Sequence, residues 1–238
     1  MRTLATTFPS PRNRHLWDGG DDDLDTWVVD TNRFYGAWNA RLRTWRLIRA
    51  LRSRGKEVWT YSYFMATRRL PQLLIDGRPA NSRLRFLWNA YEGNAGWLTW
   101  QVARWVPGHS NDWGRTAPRN PYANTISYVS PDGNVANGDT SLFYPPVSSR
   151  HGLTDATAEP VSSLRLESLR DGVEDADLVT LYRARHGARA ARRQLSRIFG
   201  SVRPGYRSGW TWPVLREERL ASRMEVVRRR LIAALERG

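Results

Sequence analysis

The alternation of strand-like and helix-like segments constrains the fold of this 238-residue chain more than any other feature of its sequence. Short β-prone runs alternate with stretches whose apolar residues lie three and four positions apart. In the run at 56–63, Trp59 and Tyr61 fall on one face of the predicted strand, whereas Val58 and Thr60 fall on the other. Strands and helices in alternating order are typical of a parallel α/β sheet or barrel.

The predicted strands are too few for a complete barrel. They are residues 3–8, 25–30, 56–63, 97–102 and 140–144. The helices between them are indicated by two apolar stripes, Trp38, Leu42, Trp45, Ile48 and Leu51, then Leu84, Leu87, Trp88 and Tyr91. Residues 106–138 are rich in Pro, Gly and Asn and are predicted to form a long loop. Because a full barrel takes about 250 residues and eight strand–helix units, the expected fold class is α/β, the C-terminal half of a (β/α)8 TIM-type barrel with extra C-terminal helices.

A further helix is predicted at residues 162–178, because Pro160 lies just upstream and Ser162 or Ser163 can cap its first turn. Gly172 inside a helix costs about 1 kcal/mol relative to alanine, which indicates that another group packs close against it. The predicted apolar stripe consists of Leu166, Leu169, Val173 and Leu181. Two interpretations stay open: a solvated helix with a few ion pairs, or a helix whose charged first turns join it to the mouth of a larger domain.

The positive charge of the chain is concentrated near its C-terminus. The formal net charge is +14, and residues 183–238 hold 15 arginines against 4 glutamates, whereas residues 1–182 hold 22 basic and 19 acidic residues. Lys56 is the only lysine, which indicates coding bias toward arginine. We therefore expect two parts, a partial (β/α) barrel at 1–182 and Arg-rich helices packed on it at 183–238. The last helix has an apolar stripe of Leu220, Met224, Val227 and Leu231.

Several function classes lack the residues that they need. The chain has no cysteine, and no pair of its four histidines has metal-ligand spacing. No metal is therefore expected. No glycine pattern predicts a nucleotide site, so no cofactor is expected either. No apolar run approaches the ~20 residues of a membrane span, and the N-terminus has no apolar signal core. As written, the sequence predicts a cytoplasmic location and no membrane partner.

Several motifs, in order and spacing, resemble one known family, and Arg170-Asp-Gly-Val-Glu-Asp175 is the most specific of them. The others are Asp25-Thr-Trp-Val, Gly55-Lys-Glu-Val-Trp-Thr-Tyr61, Ile75-Asp76 with Arg83 or Arg85 and Trp88, Gly96-Trp-Leu-Thr-Trp100 with Trp105, and Gly138-Asp-Thr-Ser-Leu-Phe-Tyr-Pro145. Together they resemble the C-terminal half of the glycoside hydrolase family 123-like catalytic domain, from near Met1 to about Tyr182. Thr140 and Ser62 depart from the family, which tends to have glycine and cysteine there.

The resemblance implies a (β/α)8 barrel, usually preceded by a β-sandwich. It also implies substrate-assisted retaining β-N-acetylhexosaminidase or β-N-acetylgalactosaminidase activity, in which the acetamido oxygen of the substrate attacks the anomeric carbon. In such enzymes an adjacent Asp-Glu pair orients the acetamido group and protonates the leaving oxygen. This chain has no Asp-Glu dipeptide, so no catalytic residue is assigned to it.

Part of a sugar pocket is nevertheless expected, because functional residues of such barrels lie at the C-terminal ends of strands. The carbohydrate-binding candidates are Asp25, Trp27, Trp59, Tyr61, Trp100 and Tyr144. Aromatic faces pack on the apolar face of a sugar ring, while indole and phenol groups meet its hydroxyls. The alternative is that the aromatic residues belong to the core and that Asp25 caps a turn.

Three functions are therefore compared. The first is the C-terminal portion of a glycoside hydrolase-like domain, inactive alone and with an N-acetylhexosamine-containing glycan as its partner, with Met1 an internal or misplaced start. The second is a non-catalytic carbohydrate-binding remnant, indicated by 12 tryptophans. The third and weakest is an Arg-rich binder of nucleic acid or an acidic partner. The open sheet edges of half a barrel also predict poor solubility or pairing with a second copy.

Overall fold

A four-stranded parallel sheet organises the protein. The computed structural model describes residues 2–7, 24–31, 38–61, 73–99, 101–103, 121–122, 125–129, 135–138, 141–144, 159–199 and 219–237. The strands of the sheet are β1 (Leu4–Ala5), β2 (Thr26–Asp30), β3 (Glu57–Tyr61) and β4 (Gly96–Leu98), and they lie side by side in that order. Each strand pairs in parallel with the next, so the alternating pattern of the sequence predicted this part of the architecture correctly.

Two helices connect the later strands of this sheet. Helix α1 (Trp38–Ser53) lies between β2 and β3, and α2 (Pro79–Glu92) lies between β3 and β4. Gly55 and Gly93 follow these helices with positive φ angles of 76° and 73°, a backbone conformation that glycine adopts without strain. Both glycines therefore lie at the ends of the helices that they follow.

Three more helices follow in the C-terminal part of the chain. They are α3 (Leu164–His186), α4 (Ala188–Phe199) and α5 (Leu220–Glu236). The predicted stripe of α5 is confirmed, because Leu220, Met224, Val227 and Leu231 are all buried. Helix α4 buries Leu195, Ile198 and Phe199 and packs with α5 against α2 and α3. None of the helices in the described part of the chain is both long enough and apolar enough to span a membrane.

One large apolar core joins the sheet to these helices. On the sheet side it contains Trp27, Val29 and Val58, which point away from Trp59 and Tyr61 as the strand pattern predicted. On the helix side it contains Ile48, Leu51, Leu84, Leu87, Trp88, Tyr91, Val179, Tyr182, Ala191, Leu195, Ile198, Phe199, Leu220, Met224, Val227 and Leu231. The C-terminal helices therefore share their core with the parallel sheet.

Two short antiparallel ribbons differ from the sequence prediction. Strands β5 (Ile126–Val129) and β6 (Val135–Asn137) form a hairpin inside the segment 106–138, which was predicted to be a loop. The sequence signals for it were the alternation of Ile126 and Tyr128 and the residue types Pro131-Asp-Gly133, which are common in turns. The predicted strand at 140–144 is shortened to β7 (Phe143–Tyr144), which pairs antiparallel with β8 (Val161–Ser162) rather than with a parallel neighbour.

The buried face of α3 also differs from the predicted stripe. Val173 and Leu181 are 43% and 59% exposed, so these two assignments were wrong. The residues that α3 buries are Arg165, Leu169, Gly172, Asp175, Val179 and Tyr182. Leu169 is buried and Leu166 packs beside it, as predicted. The rest of the buried face is shifted, because partners elsewhere in the fold allow an arginine and an aspartate to be buried.

The predictions for the start and the middle of α3 are confirmed. The hydroxyl of Ser163 caps the helix by accepting from the Leu166 N–H at 3.2 Å. At Gly172, an added Cβ would lie 2.7 Å from the backbone oxygen of Arg83 and 2.9 Å from the ring of Phe86. Glycine is therefore required for α2 and α3 to approach this closely.

Candidate functional site

Polar and aromatic side chains lie together at one edge of the parallel sheet. Because the strands are parallel, all their carboxyl ends lie at the same edge. There Asp30 ends β2, Tyr61 ends β3 and Leu98 ends β4, and the three are paired in register across the sheet. Paired residues of a parallel sheet share one face, here the face that points away from α1 and α2. The row therefore combines a carboxylate, a phenol and an aliphatic side chain within neighbouring strands.

Trp59 extends this row along β3. It lies two residues before Tyr61 on the same face and is half-buried. Its ring lies directly against Gly96 of β4, because a Cβ on Gly96 would lie 2.6 Å from the indole. The indole Nε1 donates to Glu57 Oε2 at 3.2 Å, which holds the ring in place. Gly96 thus makes room for an aromatic surface on the row.

A buried amide on α2 fixes the two strands that carry this surface. The Thr60 hydroxyl donates to Asn89 Oδ1 at 2.8 Å, and Asn89 Nδ2 donates to the Gly96 carbonyl at 3.0 Å. Asn89 is almost completely buried, so these hydrogen bonds are shielded from water. On the other side of β3, the hydroxyl of Thr31 donates to the Tyr61 carbonyl at 2.5 Å. Both ends of the short aromatic segment are held by side chains of neighbouring elements.

A second group of polar and aromatic residues surrounds Arg165 at the start of α3. Arg165 is 6% exposed, and its Nη2 donates to the Ser141 carbonyl at 2.6 Å and to the Tyr144 hydroxyl at 3.2 Å. Its Nη1 donates to the carbonyls of Leu73 and Gly138. The ring of Tyr144 lies 5.5 Å from that of Tyr122, tilted by 38°. This arginine therefore joins α3 to two separate segments, one at Leu73 and one from Gly138 to Tyr144.

The predicted site residues fall in different places. Trp59 and Tyr61 lie together on the carboxyl-edge face, and Tyr144 lies in the Arg165 group. Trp27 has no exposed surface and belongs to the core, so its ring offers no face to a sugar. Trp100 lies outside the described residues.

Asp25 lies at the amino end of β2, the edge opposite to the row. Its carboxylate accepts from the Thr3 N–H at 2.8 Å and from the Thr3 hydroxyl at 3.3 Å. The backbone hydrogen bond from Thr3 lowers the pKa of Asp25, and burial opposes this shift without cancelling it. Its observed contacts are those of a turn cap that ties β1 to β2, which is the alternative that the sequence left open.

Three residues of the candidate site were not predicted from the sequence. Asp30 was noted only as the end of a strand, although its position after a buried run was a usable signal. Tyr122 gave no signal, because it lies in a segment predicted to be loop. Arg165 lies outside the predicted apolar stripe of the helix, and no local pattern reveals that it is buried. Within the described ranges, no group of three or more acidic or histidine side chains could hold a metal ion.

A parallel sheet with helices between its strands defines the class of the protein as an α/β domain. In domains of this class, ligands generally bind where the strands end. Residues 20–182 match the family model described as "Glycoside hydrolase 123, catalytic domain", and the chain belongs to this family. The resemblance inferred from the motifs is therefore confirmed.

A solved structure adds a fold-level comparison. A family 123 glycoside hydrolase from Clostridium perfringens, which was analysed for glycolipid glycan hydrolysis, is similar to this chain with a TM-score of 0.57 and 14% identity. The similarity covers 99% of this chain and 36% of that protein, so this chain spans little more than a third of its length. At this identity the likeness concerns the fold. No curated protein matches the chain.

Proposed function

We propose that this chain provides the C-terminal, sugar-contacting portion of a glycoside hydrolase-like (β/α)8 barrel, with an N-acetylhexosamine-containing glycan as its ligand. Residues 1–182 form the barrel portion, and the Arg-rich helices of 183–238 pack on it. The observation that carries the proposal is the in-register row of Asp30 and Tyr61, with Trp59 beside it, at the carboxyl edge of the sheet. Family membership supports a sugar as the ligand of this row.

The chemistry of the row suits a pyranose ring. An indole face packs on the axial C–H groups of a sugar, and a phenol and a carboxylate can exchange hydrogen bonds with its hydroxyls. Trp59 is half-buried, so part of its ring is already fixed and little side-chain entropy is lost on binding. Tyr144 is proposed as a further sugar contact.

We also propose that the chain alone does not hydrolyse glycosides. Substrate-assisted cleavage needs an acid that protonates the leaving oxygen and a carboxylate that orients the acetamido group. The sequence contains no adjacent Asp-Glu pair, which supplies both in the enzymes that it resembles. Incubation with 4-nitrophenyl N-acetyl-β-galactosaminide is expected to release no nitrophenol above the uncatalysed rate. Turnover that copurifies with the folded chain would show that other residues replace the pair.

Binding is tested with methyl N-acetyl-β-galactosaminide by ligand-observed NMR. The substitution Trp59→Leu is expected to weaken binding by about tenfold or more, because it removes the stacking surface. Trp97→Leu is the matched control, since Trp97 is also half-buried but pairs with Thr60 and therefore faces α2. We expect Trp97→Leu to lower the melting temperature and to leave the dissociation constant within about twofold of the wild-type value.

Tyr61→Phe is a gentler second variant, because it removes one hydroxyl and keeps the ring. A moderate loss of affinity with an unchanged melting temperature would place the phenol against the sugar. Absence of binding by folded wild-type protein, or equal losses for Trp59→Leu and Trp97→Leu, would overturn the proposed function.

A further inference from the structure

The β7–β8 ribbon carries an aromatic surface that is distinct from the row on the parallel sheet. Tyr144 and Val161 are directly opposite each other in the ribbon, so their side chains share one face. Tyr122 packs beside Tyr144, with ring centroids 5.5 Å apart. Tyr122 and Val161 are 47% and 41% exposed, so this face of the ribbon is open to a ligand. Two phenol rings and one aliphatic side chain form the surface.

Arg165 supports this surface through a guanidinium whose two terminal nitrogens each donate to two acceptors. Its named acceptors are three backbone carbonyl oxygens, of Leu73, Gly138 and Ser141, and the hydroxyl of Tyr144. Gly138, with φ 64°, leaves room for the guanidinium, because a Cβ there would lie 3.0 Å from Nη2. The fork geometry of arginine suits four acceptors in different directions, which a lysine ammonium cannot reach together.

The location of Arg165 contradicts the local preference of a helix. A cation in the first turn of α3 opposes the positive end of the helix dipole, and burial adds a desolvation penalty. Residues that contradict local helix and burial preferences are found mainly at functional sites, where the position of a side chain matters more than its local cost. Three of its four contacts hold loops, and the fourth fixes the orientation of a ring that is part of an open surface.

We propose that Tyr122, Tyr144 and Val161 form an additional sugar-contacting surface, and that Arg165 is the positioning residue that fixes Tyr144 within it. The inference rests on the proposed function, because the occupant is a pyranose ring of the same N-acetylhexosamine-containing glycan. The tilted tyrosine pair offers an apolar face to the C–H side of the ring, and the phenol hydroxyls reach its rim. Because Arg165 donates to the Tyr144 oxygen, the Tyr144 proton is left to donate to a sugar hydroxyl.

The surface is tested with Tyr122→Ala and Tyr122→Phe against a disaccharide of N-acetylgalactosamine β-linked to galactose, with dissociation constants measured by ligand-observed NMR. Tyr122→Ala is expected to weaken binding about tenfold, and Tyr122→Phe to weaken it by less than about threefold, because the stacking ring is kept. Leu181→Ala is the control: Leu181 is 59% exposed on the same helix as Arg165 but 16 residues further, about 24 Å along the axis.

The role of Arg165 is tested in two backgrounds. Arg165→Lys is expected to weaken disaccharide binding several-fold at a temperature well below melting, and to cause no further loss when Tyr144→Phe is already present, because the positioned hydroxyl is then missing. A purely structural Arg165 would lower the melting temperature equally in both backgrounds and leave the dissociation constant unchanged in both. That result would overturn the positioning role.

The outcomes separate this inference from the proposed function. If wild-type protein binds the disaccharide, Trp59→Leu weakens it and Tyr122→Ala does not, the additional surface is wrong and the proposed function stands. If folded wild-type protein does not bind the disaccharide at all, both are wrong. A loss for Tyr122→Ala that Leu181→Ala does not share supports the surface.

Discussion

Helix α3 buries two charged residues ten positions apart, and the protein neutralises them in opposite ways. Arg165 is surrounded by neutral oxygens, three from the backbone and one from Tyr144. Asp175 is surrounded by cations: Arg83 donates to it from Nε at 2.6 Å and from Nη2 at 3.1 Å, and Arg228 donates from Nη1 at 2.6 Å. The first arrangement fixes loops and a phenol, whereas the second fixes helices.

The ion pairs of Asp175 join three helices, since Arg83 lies on α2 and Arg228 on α5. Arg83 also pairs with Glu225 at 2.5 Å, and Arg228 with Glu174 at 3.3 Å. Burial lowers the pKa of Arg83, but the bonds to Asp175 and Glu225 raise it by more, so that it is raised overall. The hydrogen bond to Asp175 is also the main reason that the pKa of Arg228 is raised.

The difference teaches that burial of a charge on this helix does not by itself identify a functional residue. The partners of Asp175 are arginines on two neighbouring helices, so its contacts only stabilise the packing between helices. One partner of Arg165 is a half-exposed aromatic side chain on an open ribbon. We therefore expect changes at Asp175 to affect stability alone, and changes at Arg165 to affect stability and ligand binding.

The largest expected effect is that of Asp175→Ala, which leaves Arg83 and Arg228 without their shared buried carboxylate. Removal of one partner from a buried ion pair costs about 3–5 kcal/mol. Urea unfolding should show this loss, while Asp177→Ala, at an exposed position of the same helix, should change the free energy of unfolding by less than about 0.5 kcal/mol. Equal effects of the two substitutions would contradict the structural role of the Asp175 network.

An intermediate effect is expected for Gly172→Ala, which lies between the two buried charges. The new methyl group would meet the Arg83 backbone oxygen at 2.7 Å, and backbone cannot move aside cheaply. Overpacking costs about 1–3 kcal/mol and alanine regains about 1 kcal/mol of helix propensity, so a net loss of up to about 2 kcal/mol is expected. Thermal unfolding beside Val173→Ala, at an exposed neighbour, provides the comparison. A stabilised Gly172→Ala protein would show that α2 and α3 are not in close contact here.

The smallest effect on stability is expected at Asp25, a partly exposed carboxylate that accepts a hydrogen bond from Thr3. It shows how little a charged group contributes when it is not buried as Arg165 and Asp175 are. Because its pKa is lowered in the folded state, its contribution to stability is present above about pH 4 and is lost as the pH falls through the folded-state pKa. Melting temperatures of wild-type protein and Asp25→Asn should differ slightly at pH 6, and the difference should shrink as the pH is lowered from about 4. A difference that grows with acidity would contradict the sign of this shift.

Much of the fold could be predicted because it depends on patterns among residues that are close in the sequence. The two faces of β3 and the glycines after α1 and α2 each follow from a few neighbouring residues. The close approach at Gly172 could also be inferred, because glycine has a cost in a helix that only packing offsets. The site was predicted less well: Trp59 and Tyr61 share a face as expected, but Trp27 proved to be buried and Asp25 to lie at the opposite edge of the sheet.

The sequence by itself determined the alternation of strands and helices in the parallel sheet, the cap at the start of α3 and the family, because these depend on spacings of two to four residues and on ordered motifs. Only the tertiary structure decided which face of α3 is buried. Arg83 and Asp175 are 92 positions apart in the chain, and no periodicity links residues at that distance. A charged residue reads as solvent-exposed until its partners are known, because its burial is favourable only when long-range packing places hydrogen-bonding groups around it.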